Sequence, residues 1–353
     1  MQNAPSPFFS VVMPVFRAEK TLRRSTDSLC AQSDGDWEAV LVDDGSPDSS
    51  GAIARELASE DARFRFVSHP ENRGTHEARR TGVAAARGEW VLFLDPDDLM
   101  APGLLARLRE RIAGNPADLL RFDFEWKDPA AADPALVRFY ASGRCSGREA
   151  SGAGCALRLF FTGANVPLLF PAFAFRASVC KAAFSRMEPI RLVYAEDIYE
   201  FFAVASFADS YGEEPFPGYV YDAGAGGITR WRAEKDRNPE AYAAGYFANI
   251  GKRLASFAAM ARWARAFRGP AVRAVRRAMQ RERRRVLVGT VPWEFSVLAA
   301  AGVPRREALR RAQETRAFAP LSRKDRTFLR FMLALRPALE CMGVLPRASR
   351  FRT

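Results

Sequence analysis

Histidine is almost missing from this chain, and cysteine is sparse. The only histidines are His69 and His76, both expected at the surface near a loop. No His/Cys cluster has the spacing of zinc ligands. The five cysteines are Cys30, Cys145, Cys155, Cys180 and Cys341. None forms a C-x-x-C pair and the count is odd, which argues for a reduced, cytosolic setting. Long apolar runs are also lacking, so no transmembrane helix is predicted. The nearest approach, Phe328 to Leu345, is broken by Arg330, Arg336, Pro337 and Glu340. Met1 to Phe16 has no basic leader and runs directly into a strand pattern, which predicts no signal peptide. Three catalytic signatures are absent as well. No serine sits in a G-x-S-x-G elbow, no G-x-x-x-x-G-K-[ST] occurs, and no G-x-G-x-x-G follows the first strand. A P-loop is excluded, and a dinucleotide fold is disfavoured.

What is present is ample core and uneven charge. The 353 residues, 48% of them hydrophobic, suffice for one large domain or two ordinary ones. The net charge is +12, but residues 1–229 carry −8 and residues 230–353 carry +20. This asymmetry predicts a boundary near Arg230, with a basic region that could meet an anionic partner.

Apolar runs alternate with helical spacing through the first hundred residues. Phe9 to Phe16, Trp37 to Val42, Phe64 to Val67 and Trp90 to Leu94 read as strands. Lys20 to Gln32, Gly51 to Ser59 and Thr75 to Arg87 read as helices. That alternation predicts an α/β sandwich with a mostly parallel sheet. Further on, helices are expected at Pro102 to Ala113, Ser178 to Phe184 and Asp197 to Phe207. Strands are expected at Leu119 to Trp126, Phe170 to Arg176 and Pro217 to Tyr221. Asp128 to Gly154 reads as loop, and from Glu240 onward the pattern is helical throughout.

Two buried-strand patterns end abruptly in acid. Leu92-Phe93-Leu94 runs into Asp95-Pro96-Asp97-Asp98, and Leu41-Val42 runs into Asp43-Asp44-Gly45-Ser46. Carboxylates at such ends stand at the rim where open α/β sheets bind ligands. A hard cation held by one or two carboxylates, with phosphate oxygens completing its shell, suits Asp95-x-Asp97. Asp43 or Asp44 could accept a hydrogen bond from a uracil ring or a ribose hydroxyl. Turn and cap roles explain the same aspartates without any ligand. Asn72-x-Gly74-x-x-x-Ala78-Arg79 lies where a loop enters a helix. Arg79 there could meet a diphosphate or be a structural cation. Glu196-Asp197 precedes an aromatic helix, where a carboxylate commonly caps. Transfer with inversion would also need a general base at such a place.

In this order and spacing, four blocks resemble the family 2 glycosyltransferases. They are Val11 to Phe16; Val42-Asp43-Asp44-Gly45-Ser46-x-Asp48; Asn72-x-Gly74-x-x-x-Ala78-Arg79; and Gly88 to Asp98. The resemblance covers residues 8–125 closely and extends more weakly to Thr229. It implies a GT-A fold, a Rossmann-like α/β/α sandwich. The catalytic domain would be residues 1–229, with a nucleotide-sugar half over 8–125 and an acceptor-side half over 126–229. Residues 230–353 would form a helical extension. It further implies inversion, a Mn²⁺ or Mg²⁺ ion, and a nucleoside-diphosphate sugar donor, UDP-linked. The acceptor would be a glycan or lipid-linked hydroxyl, as in bacterial surface polysaccharide synthesis. Carried over residue by residue, Pro14 and Phe16 line the base pocket. Asp44 contacts the base, with Asp43 beside it. Arg79 lies by the nucleotide. Asp95 and Asp97 form the D-x-D, with Asp97 as the direct metal ligand. Asp197 is the catalytic base. Apart from the resemblance, the glycine-rich composition around Gly226, Gly227 and Thr229 suggests a mobile flap over the donor. Three positions depart from the family pattern: Arg17 and Arg80 stand where Asn is usual, and Asp222 where Arg is usual.

Arginines in residues 230–353 are interleaved with Trp231, Phe257, Trp263, Phe267 and Trp293. Such a surface either packs on the catalytic domain or docks on anionic lipid at the inner face of the cell membrane. No nucleic-acid module is visible, so no nucleic-acid partner is expected. Two other classes compete with sugar transfer. A nucleotidyltransferase would need a glycine-rich loop where Pro14 to Glu19 stands. A non-catalytic sugar-binding scaffold would not need Asp44, Asp95, Asp97 and Asp197 together.

Overall fold

Alternating residues of the central strands face two different cores. In a computed structural model, the described residues are 6–131, 134–160, 168–192 and 196–224, with Ser256, Ala259, Met260, Arg262 and Trp263. The strands are β1 (Phe9–Val15), β2 (Trp37–Asp43), β3 (Phe64–Ser68), β4 (Trp90–Phe93), β5 (Leu99–Met100), β6 (Leu119–Trp126), β7 (Glu149–Ser151), β8 (Phe173–Arg176) and β9 (Ser210–Tyr221). The helices are α1 (Leu22–Cys30), α2 (Ser50–Glu60), α3 (Thr75–Ala85), α4 (Leu104–Gly114), α5 (Pro134–Ala141), α6 (Cys155–Arg158), α7 (Ala177–Phe184) and α8 (Glu196–Ala205). Val11, Met13, Leu41 and Leu92 pack with α1 and α4 on one face. Val12, Val91 and Phe93 pack with α7 and α8 on the other. A strand buried on both faces reads as a continuous apolar run, as β1 and β2 do.

The sheet order is β3-β2-β1-β4-β8-β6-β9-β5, with β7 paired to β9. β1, β2, β3 and β4 are parallel neighbours. β8 runs against both β4 and β6, so β6 and its parallel partner β9 point the same way as β4. The carboxyl ends of β1, β2, β4, β6 and β9 therefore share one edge. The expected parallel sheet holds in direction, with β5, β7 and β8 opposed to their partners.

Two close approaches set this edge. A Cβ on Gly82 would meet Val12 Cγ1 at 2.3 Å, so α3 can lie on β1 only with glycine there. Gly45 has φ +63, and a Cβ on it would meet the backbone of Glu71 and Asn72 within 2.8 Å. The loop after β2 thus touches the loop before α3.

Some expected elements differ. Asp128 to Gly154 is not all loop, since it holds α5 and β7. β9 begins at Ser210, well before the expected Pro217, because Glu213 and Glu214 alternate into buried ion pairs instead of ending the strand. Among the residues beyond Arg230, Ala259, Met260 and Trp263 are buried against the α8 side of the core. Arg262 pairs with Glu188 at 2.7 Å, and Trp263 packs at 6.0 Å from Phe207. This part of the basic region packs on the domain. No helix among the described residues is long and apolar enough to cross a membrane.

Candidate active site

The shared edge carries a nucleoside-sized pocket over β1 and β2. Pro14, Phe16, Asp44, Asn72, Thr75 and Arg191 line a cavity of about 280 Å³. Phe16 is 39% exposed, and the Arg17 guanidinium lies 5.4 Å from its ring centroid. Arg17 has φ +52, a left-handed conformation that Asn adopts far more readily than a long side chain. The family's usual Asn at this position thus has a backbone reason. A larger cleft, about 350 Å³, lies over Arg107, Arg111 and Glu149, by the amino ends of β6 and β9. It faces away from the strand ends where ligands bind in such sheets.

Asp44 is almost fully buried and lines the pocket. Its Oδ1 accepts from His69 Nδ1 at 2.7 Å and from the Arg73 N–H at 2.9 Å, and Oδ2 accepts from the Gly74 N–H at 2.7 Å. Most of its acceptor capacity therefore holds the loop into α3. His69 Nε2 in turn meets Thr81 Oγ1 at 2.9 Å. Neither histidine is on the surface: both are buried as partners of carboxylates. The expectation failed because a lone histidine beside a loop gives no sign of an acid reaching it from another strand. Asp43 is also buried, and its Oδ1 accepts from the Ser46 N–H at 3.1 Å. It closes the turn under α2 and does not line the pocket.

At the end of β4 the three aspartates divide. Asp98 is buried, and its carboxylate accepts from the Tyr219 hydroxyl at 2.6 Å and the Asp222 N–H at 2.8 Å. Burial, then the charges of Asp97 and Asp95, push its carboxyl well above the usual range. Asp98 thus ties the loop to β9. Asp222, where the family has Arg, is clasped by Arg24 at 2.8 Å and Lys127 at 2.9 Å. Burial opposes its ionisation, but the Lys127 hydrogen bond and both cations hold it below the ordinary value. Arg24 also donates to the Asp97 carbonyl. Asp95 and Asp97 stay partly exposed at the rim.

Arg79 is buried and joins this rim to α8. Its Nη2 meets Asp95 Oδ1 at 2.9 Å, and its Nη1 meets Glu200 Oε2 at 2.9 Å and Glu196 Oε1 at 3.7 Å. Burial alone would lower its pKa; the charges of Glu200, Asp95 and Glu196 outweigh that and hold it charged. Glu200 also accepts from His76 Nδ1 at 2.9 Å. One guanidinium therefore spans from the D-x-D to the first turn of α8, where Asp197 sits. Asp197 Oδ1 accepts from the Ile198 N–H at 2.9 Å. Burial pushes the Glu196 carboxyl up to about 8, with Asp197 and Glu200 adding and Arg79 opposing. Pro14, Phe16 and Asp44 are brought together, and Asp95, Arg79 and the start of α8 are brought together beside them. Gly226, Gly227 and Thr229 lie outside the described residues.

Sequence reading missed Glu200, Arg191 and Arg24. Glu200 lies one turn after Glu196, a spacing that marks a shared helix face. Arg191 and Arg24 carried no signal. Among the described residues no three His, Cys, Asp or Glu side chains form a metal cluster. A cation bound together with a diphosphate needs only one or two protein carboxylates. Asp97, with the Asp95 oxygen that does not meet Arg79, fits that requirement.

Residues 10–165 match the model of the family described as Glycosyl transferase family 2. An uncharacterized glycosyltransferase of Bacillus subtilis, EpsJ, is 39% identical over 118 residues, 33% of this chain and 34% of that one. The succinoglycan biosynthesis protein ExoO of Rhizobium meliloti is 37% identical over 105 residues, 30% of each chain. The chain spans about a third of the length of these relatives. Among solved structures, S. aureus TarS 1-349 in complex with UDP-GlcNAc superposes with a TM-score of 0.57 at 17% identity, covering 94% of this chain and 91% of that one. The mannosyltransferase PcManGT of Pyrobaculum calidifontis, with GDP-Man and Mn²⁺, gives 0.54 at 18% identity, covering 95% and 87%. The fold is that of the GT-A-like glycosyltransferases.

Proposed function

Since residues 10–165 are a family 2 glycosyltransferase domain, we propose that the chain is a metal-dependent, inverting glycosyltransferase. It moves a sugar from a nucleoside-diphosphate sugar, UDP-linked, to a hydroxyl of a glycan or lipid-linked acceptor. The observation that carries this reading is the Arg79 bridge, which draws the first turn of α8 to the D-x-D rim. The ligands of TarS and PcManGT support a nucleotide-sugar donor.

The pocket of Phe16, Pro14 and Asn72 takes the nucleoside. Asp97 and Asp95 would hold Mn²⁺ or Mg²⁺, which when bound would neutralise charge on the departing diphosphate. Asp197 accepts the proton of the acceptor hydroxyl as that oxygen bonds the anomeric carbon. The bond from that carbon to the diphosphate oxygen breaks and takes its electron pair with it. Arg79 has three carboxylate partners, so its part is to fix Asp95 and α8 relative to each other and not to bind phosphate.

Donor hydrolysis assayed with and without Mn²⁺ tests the reading. Asp97→Ala and Asp197→Ala should each abolish turnover while Asp197→Ala still binds UDP. Turnover unchanged in both variants would remove it. Contact of residues 230–353 with anionic lipid on the cytoplasmic side is tested by flotation with anionic and neutral vesicles. Equal recovery from both would remove electrostatic docking.

A further inference from the structure

The described core is rich in aromatic rings that are wholly buried, such as Phe93, Phe173 and Phe175. One aromatic cluster is different. Trp126 ends β6 and Tyr221 ends β9, and the two are register partners. Their ring centroids lie 5.0 Å apart at 73°. Tyr140 joins at 6.1 Å from Trp126, and Phe124 at 5.0 Å from Tyr140. All four residues are only partly buried.

The place of this cluster is informative. β6 and β9 point the same way as β4, so the rings stand at the edge that carries the D-x-D. Tyr221 precedes Asp222, whose N–H binds Asp98. The Tyr221 phenol also feels the charges of Asp98, Asp97 and Asp95, which add to burial in raising its pKa. The nucleoside pocket lies over β1 and β2, on the other side of β4. A donor that spans from that pocket to the D-x-D leaves the β6–β9 side for what lies beyond the bond being transferred.

We propose that Trp126, Tyr140 and Tyr221 form an acceptor subsite that takes a pyranose ring of a saccharide. A pyranose presents C–H groups on its faces and hydroxyls around its edge. Aromatic rings set as a corner cover the apolar face, with Tyr140 held in place by its hydroxyl donating to the Leu168 carbonyl at 3.2 Å, while the Tyr221 hydroxyl and rim charges can meet the edge. A half-open cluster with polar tips is what such a ligand needs; a core cluster would be closed. This proposal rests on the transferase reading, and its test separates the two.

The full chain is titrated with cellohexaose, maltohexaose, chitohexaose and mannohexaose in the presence of UDP and Mn²⁺, with tryptophan fluorescence and saturation-transfer NMR as readouts. At least one saccharide is expected to saturate the wild type. Trp126→Ala, and Trp126→Leu as a bulkier apolar variant, should weaken it by about tenfold or more. Trp126→Phe should bind within about threefold of wild type, and UDP affinity should be the same in all variants. Equal saccharide binding by wild type and Trp126→Leu overturns the proposal, as does failure of every saccharide to bind a wild type that binds UDP. Partition onto lipid vesicles that needs Trp126, with saccharide binding unchanged by its loss, assigns the cluster to membrane and overturns it too. Wild type that binds no nucleotide overturns the transferase reading along with it.

Discussion

The two acidic strand ends are held in opposite ways. Behind β2, Asp44 is fixed by N–H groups and a histidine that all lie within thirty residues of it. Behind β4, the turn from Asp95 to Asp98 is fixed by groups from far along the chain: the side chains of Arg24 and Tyr219, the Asp222 N–H and, through Arg79, Glu196 and Glu200. The first arrangement is a local loop clasp built on one carboxylate. The second is a network of charges that welds three parts of the sheet together. The Asp44 clasp can therefore form within its own motif, whereas the β4 end needs the whole domain in place.

The sharpest way to break this contrast is at the β4 end. Asp197→Asn is expected to lower kcat by about 10²–10⁴-fold, the usual worth of a general base. UDP binding at the β2 end should not change, as read by calorimetry beside steady-state rates. Arg79→Met strands Glu200 and Asp95 without their buried partner, and should cost about 3–5 kcal/mol of stability in urea unfolding. A loss below about 1 kcal/mol would mean the network is not welding anything. Asp44→Asn keeps the shape of the loop clasp but removes its charge. It should cost about 1–3 kcal/mol and weaken nucleotide binding more than it slows turnover at saturating donor.

Two smaller effects sharpen the comparison. Glu196 has its carboxyl raised to about 8 in the folded chain, against the ordinary 4.5. The folded state therefore holds the proton more tightly than the unfolded state, and stability falls as pH rises from about 4.5 to about 8. Glu196→Gln should match wild type near pH 5 and exceed it near pH 8.5 in parallel melts. A gap that does not grow with pH would refute this sign. At the β2 end, Arg17→Asn relieves a left-handed residue, and should raise stability by under about 1 kcal/mol once the lost contact with Phe16 is set against it.

The same contrast explains what could be read from the chain. β1 to β4, α1 to α3 and the two acidic ends were legible because each is a short apolar run, a turn and a cap in sequence. Pro14, Phe16 and Asp44 do share one pocket. The burial of His69 and His76 was not legible, since each depends on a carboxylate supplied by another element. Arg79 read as a structural cation or a phosphate contact, and its ion pairs with Glu196 and Glu200, more than a hundred residues later, could not be read from its own motif. The early start of β9 was hidden because Glu213 and Glu214 look like surface charge until Arg121 and Arg107 arrive beside them.

Trp263 and Met260 lean on the helix that begins with Glu196 and Asp197. Residues beyond the change of charge near Arg230 thus cover part of the core on the α8 side. A chain shortened there would bare the far side of that helix, including Phe207 and the ring edge of Tyr199. Sticky, poorly behaved material is the result to expect, and a shortened form meant for crystals should keep at least Trp263.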